Sequence, residues 1–307
     1  MNHEPGPEST HASSGLLLVD KPEGPTSAHV VARVKRALGA KKVGHLGTLD
    51  PFASGLLPLG VNDGTKVAEI FLAAEKSYRG IIALGVETDT QDSTGKVIAE
   101  RPAASLGAAE LDKLRVAFTG ALMQTPPMFS ALKKDGVRLY HLARKGQTVE
   151  RQPREIKIER LELWQPEGGE IGFELACSKG TYIRTLAADM GTFLGCGAHL
   201  KSLRRLSCGL LNVEKAIRLD DIEGAKEEGR VPLLSLNEAL GHVRAVALDG
   251  RMLASLRMGR QEVLDEIPPP KDGERLVRLV APEGHLAALA RWEEIVRRWR
   301  LFRTFAG

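Results

Sequence analysis

The sequence predicts a protein of mixed helices and strands, with one larger domain followed by a small β domain. Its 307 residues exceed the length of one average domain. Helical and extended patterns are interspersed over residues 14–242, whereas short strands, glycines and prolines dominate from residue 243 onward. We therefore expect a first domain over residues 14–242 and a second, smaller one over residues 243–307.

Local patterns predict the elements of the first domain in turn. Residues 15–19 form a short apolar run typical of a buried strand. Thr26 and Ser27 are N-cap candidates for a helix whose apolar residues recur at helical spacing until Gly39, which is placed to end it. Further strands are expected at 77–86, 155–164 and 170–177, and helices at 65–72 and 111–118. Acidic, helix-like sequence over 219–240 closes the domain.

Composition excludes several classes of protein. Residues 1–13 contain almost nothing apolar, which predicts a disordered tail. No stretch approaches the roughly 18 apolar residues of a membrane span, and the N-terminus lacks a secretory signal, so a cytoplasmic location is expected. Cysteine and histidine spacing predicts reduced core thiols and no metal site, since no C-x-x-C pair occurs among Cys177, Cys196 and Cys208.

Charge is concentrated in one segment. The chain carries a net charge of +4, yet residues 133–160 alone hold nine basic and four acidic side chains. Prolines break the preceding stretch, and aromatic residues lie between the basic ones, a mixture that suits contact with an RNA backbone. A solvated helix face is an equally good interpretation of such a run. The candidate RNA-binding residues here are Arg138, Arg144, Lys145 and Arg154.

The stretch GHLGTLDPFASGLLP at residues 44–58 places three glycines and two prolines around one carboxylate, Asp50. Glycine permits tight turns and close approach of a ligand, and Pro51 favours an extended Asp50. The leucines of this stretch indicate a loop anchored in a core. Asp followed by Pro also begins many helices, so Asp50 as a plain N-cap is the alternative, and the local pattern alone favours it.

Three further stretches stand out: KPEGPTS at 21–27, CSKGTYIRTL at 177–186 and LKSLRRL at 200–206. The glycine in the second lies at an expected strand-to-helix junction, where free backbone N–H groups could hold an anion. Simple structural roles compete with functional ones throughout. Tyr78 could pack in a sheet, Arg184 could pair on the surface, and Leu203 could be core.

Together these stretches resemble the signatures of the bacterial tRNA pseudouridine-55 synthases, the TruB type, over residues 14–307. The resemblance implies an α+β catalytic core around a mixed, mostly antiparallel sheet. It also implies an RNA-gripping insertion near residues 124–153 and a C-terminal PUA-like pseudo-barrel that binds RNA. The implied activity is an isomerase that flips the T-loop uridine out of its stack and converts it to pseudouridine.

The resemblance also implies roles for individual residues. Asp50 would act at C1′ of the ribose, either as nucleophile or by removing a sugar proton, and Arg184 would keep it ionised. Tyr78 would stack on the base and assist the final C5 deprotonation. The other expected substrate contacts are His45, Tyr182, Leu203 and Lys21, and Arg204 and Arg205 add to the RNA-binding set. Phe129 departs from the family, which commonly has tyrosine there.

The expected partner is the T stem-loop of tRNA, bound by a monomer without cofactor, metal or obligate protein partner. Two other functions fit parts of the sequence. A tRNA-folding helper with secondary catalysis would also need the basic insertion and an RNA-binding C-terminal domain. A guide-RNA-dependent relative shares the core motifs, although this chain has the insertion of a stand-alone enzyme and lacks a long lysine-rich tail.

Overall fold

Helices and strands are mixed along the chain, as the sequence predicts. The computed structural model describes residues 13–130, 132–134, 136–166, 168–271 and 273–305, so the predicted tail lies almost wholly outside the described residues. The strands are β1 Gly15–Lys21, β2 Val43–His45, β3 Ser54–Val61, β4 Lys76–Leu84, β5 Val86–Thr88, β6 Val97–Glu100, β7 Gly120–Gln124, β8 Lys133–Lys134, β9 Val137–Arg138, β10 Arg154–Trp164, β11 Glu170–Cys177, β12 Ala198–Cys208, β13 Leu211–Asn212, β14 Ile217–Arg218, β15 Leu233–Leu234, β16 Arg244–Ala247, β17 Leu276–Val280, β18 Leu286–Glu293 and β19 Arg298–Thr304. The α-helices are α1 Ser27–Leu38, α2 Ala68–Ala73, α3 Ala108–Ala117, α4 Leu139–Ala143, α5 Ile183–Phe193, α6 Ile222–Glu227, α7 Leu236–Ala239 and α8 Gly250–Arg257, with 3₁₀ turns at Asn62–Val67, Val213–Lys215, Leu219–Asp221 and Glu262–Glu266.

A large mixed sheet forms the centre of the protein. Its main order is β14-β1-β3-β12-β4-β11-β10-β7, with β15 added to β1, β2 to β3 and β13 to β12. Only the β1–β14 and β3–β12 pairs of this sheet are parallel among the described residues. The expected mixed, mostly antiparallel sheet of an α+β protein is therefore confirmed.

Local signals explain the first helix, α1. Thr26 accepts a hydrogen bond from the His29 amide at 3.1 Å, and Gly39 ends the helix with φ 61°. Val30, Val34 and Leu38 are buried on one face, as their helical spacing predicts. The acidic, helix-like segment over 219–240 contains the short helices α6 and α7 and the strand β15. Gly229 and the proline at 232 lie between α6 and β15, where the helical pattern stops.

A second, smaller sheet with the order β16-β17-β18-β19 lies near the C-terminal end. Its strands contribute to an apolar cluster with α8, in which Trp299 is buried. Leu286 and Leu289 of β18 also pack in a cluster with Leu16 and Leu56 of the large sheet. The small β region is thus present as expected, and it packs against the large sheet through apolar side chains. Its closure into a pseudo-barrel stays a prediction.

Two further expectations concern reduced core cysteines and the lack of a membrane-spanning segment. Cys177, Cys196 and Cys208 are free and buried. None of the helices in the described ranges is long and apolar enough to cross a membrane.

Candidate active site

Asp50 lies in the loop that connects β2 to β3, and this loop contains no helix. The strand β3 begins four residues later at Ser54, and the Ala53 amide closes a turn by donating to the Asp50 carbonyl at 3.2 Å. The interpretation of Asp50 as a helix cap is therefore wrong. Ser27 at the start of α1 holds Leu49, the residue before Asp50. The Ser27 hydroxyl donates to the Leu49 carbonyl at 2.8 Å and accepts from the Leu49 amide at 2.9 Å.

Arg184 meets this carboxylate from the opposite side of the site. It lies in the first turn of α5, and its Nε is 2.9 Å from Asp50 Oδ2. The Arg184 side chain is 7% exposed, whereas that of Asp50 is 35% exposed. The carboxylate is therefore open to a ligand on one side while its cationic partner is held inside the protein.

Three other groups share the Arg184 guanidinium. Nη1 donates to the Thr90 carbonyl at 2.9 Å and Nη2 to the Phe129 carbonyl at 2.8 Å. Because the contact with Phe129 uses its backbone, the departure from tyrosine at this position leaves it unchanged. Asp92 Oδ2 lies 3.5 Å from Nη1. The guanidinium is thus fixed in orientation from both sides.

Asp92 is a site residue that sequence reasoning missed. The acidic stretch at 87–95 suggests a polar turn, and the structure confirms a turn between β5 and β6. Inside it, Asp92 is buried and its Oδ1 accepts from the Thr90 hydroxyl at 2.8 Å and the Thr94 amide at 2.9 Å. The pattern of acids and threonines predicts such local bonds, but it holds no sign that Arg184, more than ninety residues away, faces the other oxygen.

Tyr78 and Leu203 lie on neighbouring strands of the large sheet. Tyr78 of β4 is paired with Arg205 of β12, and Leu203 is paired with Gly80. Leu203 is buried in the core and Tyr78 is half-buried against it. Burial raises the pKa of the Tyr78 phenol to about 12. The phenol is neutral near pH 7, as it also is at its ordinary pKa of about 10.

His45 ends β2, opposite Leu59 of β3. Burial, with the positive Arg205 as a second cause, lowers the pKa of His45. Its Nδ1 is buried and has no hydrogen-bond partner among the described residues. The lowered pKa favours the neutral imidazole, and because Nδ1 is buried, a nucleobase would contact another part of the ring.

Tyr182 is held by the two strands at the base of the predicted insertion. The side-chain amide of Gln124 donates to the Tyr182 carbonyl at 3.0 Å and accepts from the Tyr182 amide at 2.8 Å. Arg154, paired with Gln124 across β7 and β10, lies 4.9 Å from the Tyr182 ring centre and donates to the Gly180 carbonyl. Sequence reasoning missed Gln124, and Arg154, a candidate RNA-binding residue, contacts the Tyr182 ring.

Lys21 occupies a different position from the one expected. It is fully buried at the end of β1, and its ammonium donates to the carbonyls of Pro22, Pro25 and Pro51 at 2.8, 3.1 and 3.2 Å. Burial lowers the pKa of Lys21 to about 8, although nearby Asp50 opposes this shift. A direct contact with substrate does not fit this burial. Lys21 instead ties the turn after β1 to the residue following Asp50.

The candidate RNA-binding cations fall into two groups. Arg138, Arg144 and Lys145 are exposed around α4, and none forms an ion pair within the described residues. Arg204 is partly exposed and makes a two-pronged pair with Asp20 at 2.7 and 3.0 Å. Arg205 is 2% exposed and bonded to the backbone of the Asp50 loop, so its predicted contact with RNA is wrong.

The arrangement offers a partly exposed carboxylate beside a guanidinium that two backbone carbonyls hold in place. Among the described residues, no group of three or more His, Cys, Asp or Glu side chains could hold a metal ion. When ionised, a carboxylate can act as a nucleophile or base toward a ligand that reaches it.

Two family models together match most of the chain. Residues 35–183 match the TruB family pseudouridylate synthase N-terminal domain, and residues 184–240 match the tRNA pseudouridylate synthase B C-terminal domain. A tRNA pseudouridine synthase B of Geobacter sulfurreducens is 43% identical over 95% of this chain and 99% of its own length. One of Cupriavidus metallidurans is 43% identical over 91% of each chain.

Solved structures show the same fold. The chain resembles a protein of a Cbf5-Nop10-Gar1 complex with a TM-score of 0.69 and 26% identity, covering 94% of this chain and 85% of that one. It also resembles a chain of an H/ACA RNP bound to a substrate RNA containing 2′-deoxyuridine, with a TM-score of 0.70 and 24% identity. The sequence matches and the shared fold agree, and the chain belongs to the TruB family of tRNA pseudouridine synthases.

Proposed function

We propose that this enzyme converts the T-loop uridine at position 55 of tRNA to pseudouridine, and that Asp50 carries the chemistry. The observation that supports Asp50 most directly is its pairing with Arg184, Nε to Oδ2 at 2.9 Å, in a loop that leaves the carboxylate partly open. The target base must leave its stack to reach this loop. Tyr182, Leu203 and Tyr78 are the proposed walls of the pocket, and His45 the residue that fills the space left in the RNA.

The reaction exchanges one bond for another within the same nucleoside. The C1′–N1 bond breaks, the uracil rotates, and C5 bonds to C1′; the C5 proton then leaves and N1 gains a proton. Asp50 either attacks C1′ or removes a sugar proton to give a glycal, and both routes need the carboxylate ionised. Arg184 supports either route because it stabilises that charge and fixes its direction.

The position of the Tyr78 ring, half-buried against the core that contains Leu203, supports a stacking role for this residue. A phenol that stays protonated near pH 7 is a weak base, so we assign the final proton transfer from C5 to another acceptor, with Asp50 in reach of the sugar as the first candidate. This narrows the role expected for Tyr78 from the sequence.

The proposed RNA contacts are made by the insertion and by the C-terminal domain. The exposed cations around α4 suit tRNA phosphates, and the small C-terminal sheet would bind a further part of the tRNA. We propose a monomer that acts in the cytoplasm, where its substrate lies, without guide RNA or protein partner. The insertion over 124–153 favours this stand-alone mode over the guide-dependent one, and the open Asp50 favours catalysis over a helper whose main task is tRNA folding.

The test is to incubate the purified protein with an unmodified tRNA transcript and to map pseudouridine by carbodiimide treatment and primer extension. A signal at the T-loop uridine alone, lost in Asp50→Asn while tRNA binding persists, is the expected result. A signal elsewhere would contradict the assigned uridine. Activity that appears only with added guide RNA would favour the guide-dependent enzyme. If the wild type makes no pseudouridine and both it and Asp50→Asn refold tRNA, the folding-helper function would be favoured.

A further inference from the structure

Arg205 is a buried cation for which the reaction itself has no evident use. It is 2% exposed and lies on β12, between Gly55 of β3 and Tyr78 of β4. Neighbouring Arg204 points the other way and pairs with Asp20. Burying a guanidinium is costly unless its N–H groups are satisfied, so its partners indicate why it is there.

Three side-chain bonds of Arg205 go to backbone carbonyls on either side of Asp50, and its guanidinium also interacts with the Tyr78 phenol. Nη2 donates to the Gly47 carbonyl and Nη1 to the Thr48 carbonyl, both at 3.1 Å, just before Asp50. Nε donates to the Leu56 carbonyl at 2.7 Å, after the loop has entered β3. One rigid fork therefore holds the chain on both sides of the carboxylate.

The backbone of Arg205 supports the same loop. A Cβ at Gly55 would lie 2.3 Å from the Arg205 carbonyl oxygen and 2.8 Å from its amide nitrogen, and Gly55 has φ 100°. Only glycine accommodates this approach without strain. The loop is thus pressed against β12 at Gly55 and tied to it at three carbonyls.

We propose that Arg205 is a positioning residue for the reaction, which fixes the Asp50 loop so that the carboxylate meets the ribose at the productive place. This inference rests on the proposed role of Asp50. Arg184 orients the carboxylate itself, whereas Arg205 orients the backbone that carries it. A displacement of about 1 Å in a reacting group can lower a rate about 100-fold, which is the effect expected when this support is lost.

The experiment compares Arg205→Lys and Arg205→Met with the wild type. Lysine keeps the charge, but its donors all lie on one nitrogen, whereas Arg205 reaches the Gly47, Thr48 and Leu56 carbonyls from three separate nitrogens of a planar group. The readouts are the single-turnover release of tritium from 5-³H-uridine tRNA, the Kd for tRNA, and the circular dichroism spectrum. We expect both variants to lose about 100-fold in rate while Kd changes less than about threefold.

Arg33 provides a matched control. It is half-buried on α1, and its guanidinium also makes three hydrogen bonds, but these go to the carboxylates of Glu223 and Asp220 and none goes to the Asp50 loop. Arg33→Lys should keep the wild-type single-turnover rate. Because tritium release counts pseudouridine at any uridine, this test stands even if the modified position lies outside the T loop.

A wild-type rate in either Arg205 variant would overturn the proposal. So would a loss of rate that is matched by an equal loss of tRNA affinity, or one that Arg33→Lys reproduces. If Arg205→Met fails to fold, Arg205→Lys decides the question, because it retains the charge and most of the volume.

Discussion

Asp92→Asn tests how the site holds Arg184. Asp92 Oδ2 lies 3.5 Å from Arg184 Nη1, and the two side chains are 6% and 7% exposed. The other oxygen already accepts from Thr90 and Thr94, and an asparagine carbonyl can take over those bonds. The new NH₂ group would then face the guanidinium, so the substitution removes the attraction to Arg184 and leaves the turn folded.

The size of the effect follows from the distance. At 3.5 Å and an effective dielectric constant of about 20, the gross attraction is about 5 kcal/mol. Desolvation of both charges offsets part of it, and the bonds from Arg184 to Thr90 and Phe129 remain. We expect a net loss of about 1.5–3 kcal/mol in transition-state stabilisation, which is about 10- to 150-fold in rate.

The assay is single-turnover tritium release at saturating enzyme, so that tRNA binding does not enter the rate. Asp89→Asn is the matched control, because Asp89 lies in the same turn, is exposed, and bonds the Lys96 amide at 2.8 Å. Its rate should equal that of the wild type. Equal rates for Asp92→Asn and Asp89→Asn would refute the reasoning, and so would a loss for Asp92→Asn that appears only in the Kd for tRNA.

Three further predictions concern stability and binding. The pKa of Lys21 is about 8 in the folded protein and 10.5 ordinarily, so between these pH values the unfolded chain binds more protons than the folded one. In urea titrations, the free energy of unfolding of the wild type should therefore rise by about 3 kcal/mol relative to that of Lys21→Met as pH rises through this window. Parallel pH dependences of the two proteins would contradict this. Gln124→Ala removes both bonds to the Tyr182 backbone and should lower the free energy of unfolding by about 2–4 kcal/mol in the same assay, with an unchanged value as the contrary result. If the exposed cations around α4 contact phosphates, the slope of log Kd against log salt should fall by about 1 for each one changed to glutamine, whereas Arg160→Gln, already paired with Glu162 and Glu174, should leave it unchanged. The cations to change are Arg138, Arg144 and Lys145.

Short-range features of the fold could be predicted from the sequence. Capping at Thr26 and Gly39 sets the ends of α1, and period-2 patterns locate β10 and β11 within a residue or two. These signals act between residues that are close in the chain, so a single short stretch of sequence is enough to predict each of these elements. The helix-like sequence over 219–240 forms short helices, which stop where Gly229 and the proline at 232 interrupt the helical pattern.

The candidate site was predictable only where its residues belong to recognisable stretches. Asp50, Arg184 and Tyr182 each lie in such a stretch, and the resemblance of these stretches to family signatures predicts that the three residues share one site. Gln124 and Asp92 lie in stretches with ordinary local explanations, a strand end and a polar turn. Their partners in the site are 58 and 92 residues away in the chain, and only the order of the sheet brings these pairs together.

Arg204 and Arg205 show why a sequence pattern can name the right residues and still assign one of them wrongly. Side chains alternate across a strand, so one arginine of an adjacent pair faces inward and the other outward. Which one is buried depends on register, and the pairing of β12 with β4 shifts twice, between Leu200 and Ser202 and between Arg205 and Ser207. The register that begins after the first shift pairs Arg205 with Tyr78, and the Arg205 side chain faces the Asp50 loop. A basic pair that suggests an RNA-binding surface is therefore divided, with Arg204 available near solvent and Arg205 committed to the backbone around Asp50.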